Sequence, residues 1–401
     1  SSLAHSAPLQ SCWFQNAAMK ARLAARSLSS RHCLLDVKPR PPLHAHCQAW
    51  RGSAALAISA LQQQASFCQQ TRFPAVLDPG RLDIVAEFAD GRGRILLNVP
   101  LENGGSVYVT AHDALAEDNL WPPWMVANST QEWRVLRFQP AEGTSNLIQS
   151  VAKVCIAPTG SPIPLERQRG DCLALAYTKT HVAVMLSTLQ ALGAPVVPQG
   201  FGQRLKILCI GLGGGSVPSF LTENLPHCDV DVAELEPAVL QAASQAMGFL
   251  QSAQLRVIIE DGVSFAERVV RETANGGGAY DAVLIDAYDA AGNVPASLWS
   301  NSTGIALALG KGLLRERGLI ATNFLPDADV SVALDAYRAA LSCHQRASAG
   351  PGFSVQGEGY GNLIAVQTCG HLESYSSEAL QDRLSLAARQ VQGYLGCPFD
   401  F

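Results

Sequence analysis

The 401-residue chain has no run of 18 or more apolar residues, so no segment has the length and hydropathy of a membrane-spanning helix. It also has no Cys-x-x-Cys pair. Its 11 cysteines are scattered, four of them before residue 78. Those between 155 and 369 lie in apolar patterns, as Cys209 does, and read as reduced core thiols rather than a disulfide framework. His44-Ala45-His46-Cys47 has metal-binding residue types. Prolines precede it and no second ligand group is nearby, whereas a closed zinc site needs four ligands, so no metal is expected.

Acids are scarce at one end only. Residues 1–77 hold eight Lys/Arg and a single acid, Asp36, whereas 78–401 hold 21 Lys/Arg and 33 acids. The first segment is rich in Ala, Ser, Gln and Arg, the composition of an organellar transit peptide, and 20–31 could form a basic amphipathic helix. The expectation is an organellar protein, chloroplast ahead of mitochondrion. If the segment is a basic extension with no address, the expectation becomes cytoplasmic. The acidic balance of 78–401 argues against nucleic acid as a charge-driven partner.

No internal repeat is visible. Residues 1–77 read as a disordered leader and 78–160 as a small antiparallel β domain. The latter opens with a hairpin of 82–88 and 94–99 around an Asp90-Gly91 turn. Further strands are expected at 106–110, 132–138 and 147–156, and Trp121-Pro122-Pro123-Trp124 reads as a packing loop. An apolar helix pattern covers 173–192. Strands then alternate with helical patterns at 206–211, 229–234, 255–260, 281–286, 317–324, 353–356 and 362–368. Such alternation predicts a doubly wound, mostly parallel α/β sheet over 161–375. An amphipathic helix and tail follow over 376–401.

The richest stretch is Gly211-Leu212-Gly213-Gly214-Gly215-Ser216, which follows an apolar strand and opens a helical pattern. Glycines there permit positive φ and close approach of a ligand, and the helix N-terminus offers free N–H groups. Glu234 ends the next strand, at a spacing that suits a carboxylate on a ribose. The sixth position of the loop is Ser216 rather than Gly, which disfavours a dinucleotide. Two later strands end in Asp261-Gly262 and in Asp286-Ala287-Tyr288-Asp289. Each acid alone reads equally well as a helix N-cap, but acids at successive strand ends also line the crevice where open α/β sheets bind ligands.

These residues resemble the class I S-adenosylmethionine (AdoMet)-dependent methyltransferases, in the branch that looks like spermidine synthase. The resemblance covers about 146–369. It implies a seven-strand sheet of the class I methyltransferase type, with AdoMet or decarboxylated AdoMet as cofactor. Ser145-Asn146-Leu147-Ile148-Gln149-Ser150 looks like the segment whose Gln meets the thioether ligand. Gly211, Gly213, Gly214 and Gly215 match the glycine loop, Glu234-Leu235-Glu236-Pro237 the ribose-binding strand end, and Asp261-Gly262 the adenine contact. Asp286 and Asp289 resemble the paired acids of aminopropyltransferases and stand as the candidate catalytic residues. Gly213 to Phe220 and Ala243 to Phe249 look like the spermidine synthase-like domain of elongation-factor lysine and N-terminal methyltransferases. Homodimers are usual in the spermidine synthases, which makes one plausible here.

The departures bear on the reaction. The glycine loop of spermidine synthases continues into an Asp; here it continues into Ser216. Their paired acids precede Pro; here Ala290 follows. Their D-E-x-x-Y-H-E segment is replaced by Ala174-Leu175-Ala176-Tyr177-Thr178-Lys179-Thr180-His181. A doubly charged diamine needs several carboxylates. The expectation is therefore methyl transfer to an amine on a protein or small molecule. Aminopropyl transfer from decarboxylated AdoMet and a non-catalytic module of the same fold are the alternatives.

Overall fold

The computed structural model describes residue 88 and most of 93–396. The breaks fall at 103, 115–128, 141–146, 161–164, 201, 274–277, 290–291, 301–303, 344–347, 358–360 and 371–375. The expected leader and the Trp121–Trp124 loop lie outside the described residues.

Five strands come first: β1 (Arg94–Pro100), β2 (Ser106–Asp113), β3 (Thr130–Gln139), β4 (Leu147–Ile156) and β5 (Glu166–Gln168). They form an antiparallel sheet in sequence order. Residues 82–87 of the expected 82–88/94–99 hairpin lie outside the described residues. β1 pairs with β2, and Phe88, the one described residue of the other arm, is helical and buried. The sheet also runs past residue 160 through β5.

The rest alternates. Helix α1 (Ala176–Leu192) ends at Gly193, whose φ of 82° is the left-handed cap that glycine adopts without steric cost. Then follow β6 (Leu205–Ile210), α2 (Ser216–Asn224), β7 (Cys228–Glu234), α3 (Pro237–Ala246), β8 (Leu255–Ile259), α4 (Gly262–Glu272) and β9 (Tyr280–Ile285). After them come α5 (Ile305–Gly310), β10 (Leu314–Phe324), α6 (Ser331–Ser342), β11 (Ala349–Gln356), β12 (Leu363–Cys369) and α7 (Ser377–Leu395). The spatial order is β11-β12-β10-β9-β6-β7-β8. Strands β6 to β10 run parallel, and β12 lies antiparallel between β10 and β11. This is the strand order of the class I methyltransferase type.

Strand alternation explains why these segments read as unbroken apolar runs. Along β6, Ile207 and Cys209 join one core with Leu186, Phe220 and Val239, whereas Leu208 and Ile210 join another with Phe265, Ile305 and Tyr337. Both faces of the sheet are covered, so no strand position needs to be polar. Each such side chain contributes roughly 1.5–3 kcal/mol on burial.

The first core also takes in Val107, Val109, Leu136 and Val154 of the antiparallel sheet. Arg134 on β3 reinforces that junction from a buried position. It donates to both oxygens of Glu166 at 2.6 and 2.9 Å and to the Ala246 carbonyl, at the end of α3, at 2.8 Å. The result positions β4 and β5 beside the crevice where strand order reverses, between the carboxyl ends of β6 and β9. Open α/β sheets bind ligands at such a switch point.

Candidate active site

The loop after β6 takes its shape from packing as much as from glycine's freedom. Gly211 has φ 96° and sits against the Asp286 carbonyl; Gly213 has φ 53°. A Cβ on Gly214 would lie 2.7 Å from both Met247 Cε and Ser150 Oγ, and one on Gly215 (φ 81°) would lie 2.8 Å from Phe249 Cγ. The loop is therefore seated on β4 and on the turn after α3. From β5, the Gln168 amide donates to the Gly214 carbonyl, and its main-chain N–H donates to Gly248 at 2.9 Å.

Around this loop lies a cavity open to solvent, among whose lining residues are Gln149, Tyr177, His181, Gly213, Ser216 and Asp286. Five elements thus converge on it: β4, α1, the β6 loop, the start of α2 and the end of β9. Among the described lining residues Asp286 is the one carboxylate, and none is Lys or Arg.

Asp286 is partly exposed and anchored. Its Oδ1 accepts from Asn323 Nδ2 on β10 at 2.8 Å. Burial pushes its carboxyl above the ordinary range, against the opposing influence of His181, Asn323 and Tyr177. His181 is buried, and its Nε2 lies 3.2 Å from the Ala321 carbonyl; burial lowers its pKa, with Asp286 acting the other way. Tyr177 donates to the Gln149 carbonyl at 3.2 Å, and burial next to Asp286 holds its phenol well above its ordinary value. Tyr177 and His181 stand one turn apart on α1, on one face.

Of the residues singled out in the sequence, the structure gathers Gln149, Gly211, Gly213 and Asp286 on the cavity wall. Gly214 and Gly215 shape the loop from behind. Glu234 is buried: Oε2 accepts from Leu212 N and Oε1 from Glu236 N, both at 2.8 Å. Burial raises its pKa, opposed by those donors. Asp261 caps α4 through Ser264 N at 2.9 Å, and a Cβ on Gly262 would meet Ile210 Cγ2 at 2.6 Å. Asp289 is not among the lining residues. Its exposed carboxylate accepts from Asn293 N at 2.9 Å, closing its own turn.

Tyr177, His181, Asn323 and Asn362 are not among the site residues expected from the sequence. For the first two a signal existed: a Tyr and a His at i and i+4, in the segment set against D-E-x-x-Y-H-E. The two asparagines carry none, because only pairing of β10 with β12 brings them together.

No family model matches the chain. An eEF1A lysine and N-terminal methyltransferase of Bos taurus is 38% identical over 82 residues, 20% of this chain and 11% of that protein. A polyamine aminopropyltransferase of Vibrio vulnificus is 39% identical over 84 residues, 21% of this chain and 27% of that protein. The chain thus matches about a tenth and about a quarter of the length of these two curated relatives. Human methyltransferase-like protein 13 in complex with SAH superposes over 57% of this chain and 95% of its own, at 22% identity and a TM-score of 0.44. Both curated relatives fall in the groups that the glycine loop and the Asp286 segment resemble.

Proposed function

We propose that the chain is an AdoMet-dependent methyltransferase acting on an amine acceptor. The observation that carries this reading is the Asp286 carboxylate on the cavity wall, the one carboxylate among the described lining residues. One acid suits one amine, whereas a diamine carries two charges and needs more than one. The relatives' names, which speak of lysine and N-terminal methylation, support it. AdoMet, when bound, supplies a methyl group on a sulfonium, already a good leaving group. Gly211 and Gly213, both with positive φ on the cavity wall, fit the close approach of such a ligand. With Gln149 and the start of α2 they would hold it, while Glu234 and Asp261 serve from the ends of β7 and β8.

The chain's remaining task is to hold an uncharged amine in line and take its proton. Asp286 is the group we assign to that step. Its burial favours the protonated form, which makes it a better proton acceptor than a solvated aspartate. Tyr177, with its phenol kept neutral, orients the acceptor side. Asp289 has at most a supporting part from its own turn.

Aminopropyl transfer is the second reading, supported by Gln149 and Asp286 on the wall of one cavity and by the Vibrio relative. Calorimetric titration with AdoMet and with its decarboxylated form separates the two. Tighter binding of AdoMet is expected, and clear preference for the decarboxylated form would overturn the first reading. We further propose a homodimer and import into an organelle, the chloroplast first. Sedimentation tests the former, and imaging of residues 1–77 fused to a fluorescent protein tests the latter.

A further inference from the structure

Behind Asp286 runs a chain of hydrogen bonds whose direction can be read from one end. The main-chain carbonyl of Asn323 can only accept, so Tyr288, 3.0 Å away, must donate its phenolic proton to it. With that proton committed, the Tyr288 oxygen meets Asn362 as an acceptor, at 3.5 Å from Nδ2. The Asn362 amide nitrogen therefore also faces Asn323 Oδ1, at 3.0 Å. Asn323, fully buried, then has only its amide nitrogen to turn toward Asp286, at 2.8 Å. An amide that could flip would offer Asp286 an N–H or a carbonyl oxygen; this one can offer only the N–H.

A donor facing a carboxyl oxygen favours the ionised form, whereas a carbonyl oxygen there would require a proton between the two. We propose that Asn362 and Tyr288 are positioning residues that lock the Asn323 amide with its N–H toward Asp286, so that Asp286 rests as a carboxylate ready to receive an acceptor's proton. The functional part of this statement rests on the proposed amine chemistry; the lock does not. The other groups that face Asp286 are Tyr177 and His181 on α1 and Cys209 on β6, with Tyr288 on its own segment. Of these, only Tyr288 belongs to the hydrogen-bond chain that holds the Asn323 amide. Asn362 is not among the described lining residues of the cavity.

The test uses the full chain and two variants, Asn362→Ala and Tyr288→Phe, each of which breaks the lock at a different link. Ionisation of Asp286 is read directly, by infrared titration of the carboxyl bands with the Asp286→Asn spectrum subtracted. That measurement needs no turnover, so it stands even if the proposed reaction fails. In both variants the Asp286 midpoint should move to higher pH, with a rise in proton affinity of about tenfold. If methyl transfer is observed, the acid limb of its pH profile should move the same way and recover at high pH, with the affinity for AdoMet unchanged. An unchanged midpoint in a folded variant overturns the proposal. If one variant does not fold, the other decides alone; if neither folds, the midpoint is read in Asn323→Leu, and no rise there overturns it equally.

Discussion

Glu234 holds the main-chain N–H of Leu212 at 2.8 Å, so the acid expected to meet a ribose also fixes the loop that would cradle the ligand. Its second oxygen is committed to Glu236 N at the same distance. Glu234→Gln keeps the size but turns an amide nitrogen toward one of these two donors. We expect a loss of roughly 1–3 kcal/mol in stability, the cost of a buried donor left unmatched, together with weaker AdoMet binding. Denaturant titration and calorimetry check the two effects. An unchanged midpoint would show that the loop does not depend on this carboxylate.

The seating of the loop predicts an order among glycine substitutions. Gly215→Ala meets the rigid ring of Phe249 and must keep φ at 81°, whereas Gly214→Ala meets the ends of Met247 and Ser150, which can move. Gly215→Ala should cost about 1–3 kcal/mol from overpacking, with the strain of a positive φ added. Gly214→Ala should cost less. Thermal unfolding gives the order, and pairing Gly215→Ala with Phe249→Leu should recover the steric part only. Equal costs for the two alanines would contradict this picture.

Asp286 is the group on which the proposed chemistry turns. Asp286→Asn removes the proton acceptor while preserving shape. Methyl transfer should fall by about 10²–10⁴-fold, the usual worth of a positioned base, with AdoMet binding changed only a few-fold. Single-turnover mass measurement of the acceptor is the check. Activity retained within about tenfold would assign the proton to another group or to water.

His181 predicts a pH dependence. Burial lowers its folded-state pKa, so its contribution to stability is present above the unfolded value of about 6.5 and is lost as pH falls through the folded value. The unfolded chain binds the proton first. Thermal unfolding of the wild type should therefore weaken below about pH 6.5, and His181→Gln should weaken less over the same window. Parallel curves for the two proteins would mean that His181 titrates alike in both states.

Much of the layout was legible beforehand because burial on both faces leaves a strong local signal. The strands expected at 206–211, 229–234 and 255–260 stand at Leu205–Ile210, Cys228–Glu234 and Leu255–Ile259. The helix expected over 376–395 is Ser377–Leu395, capped by Ser376. Of the hairpin expected over 82–99, the described arm, β1, pairs with β2.

By itself the sequence determined the alternation of strands and helices, the glycine loop after β6 and the acids that end β7 and β9. Those features depend on neighbours along the chain: apolar periodicity, φ freedom and the polarity of strand ends. Which acid reaches the cavity was decided only by tertiary structure. Asp286 and Asp289 look equivalent in the sequence, yet one meets Asn323 across the sheet and the other closes a turn with Asn293. The partners of Asp286 come from α1 and β10, and no local pattern encodes a hydrogen bond between residues that pairing of distant strands brings together. The same reason hides the Asn362–Asn323 contact, which exists because β12 returns antiparallel beside β10.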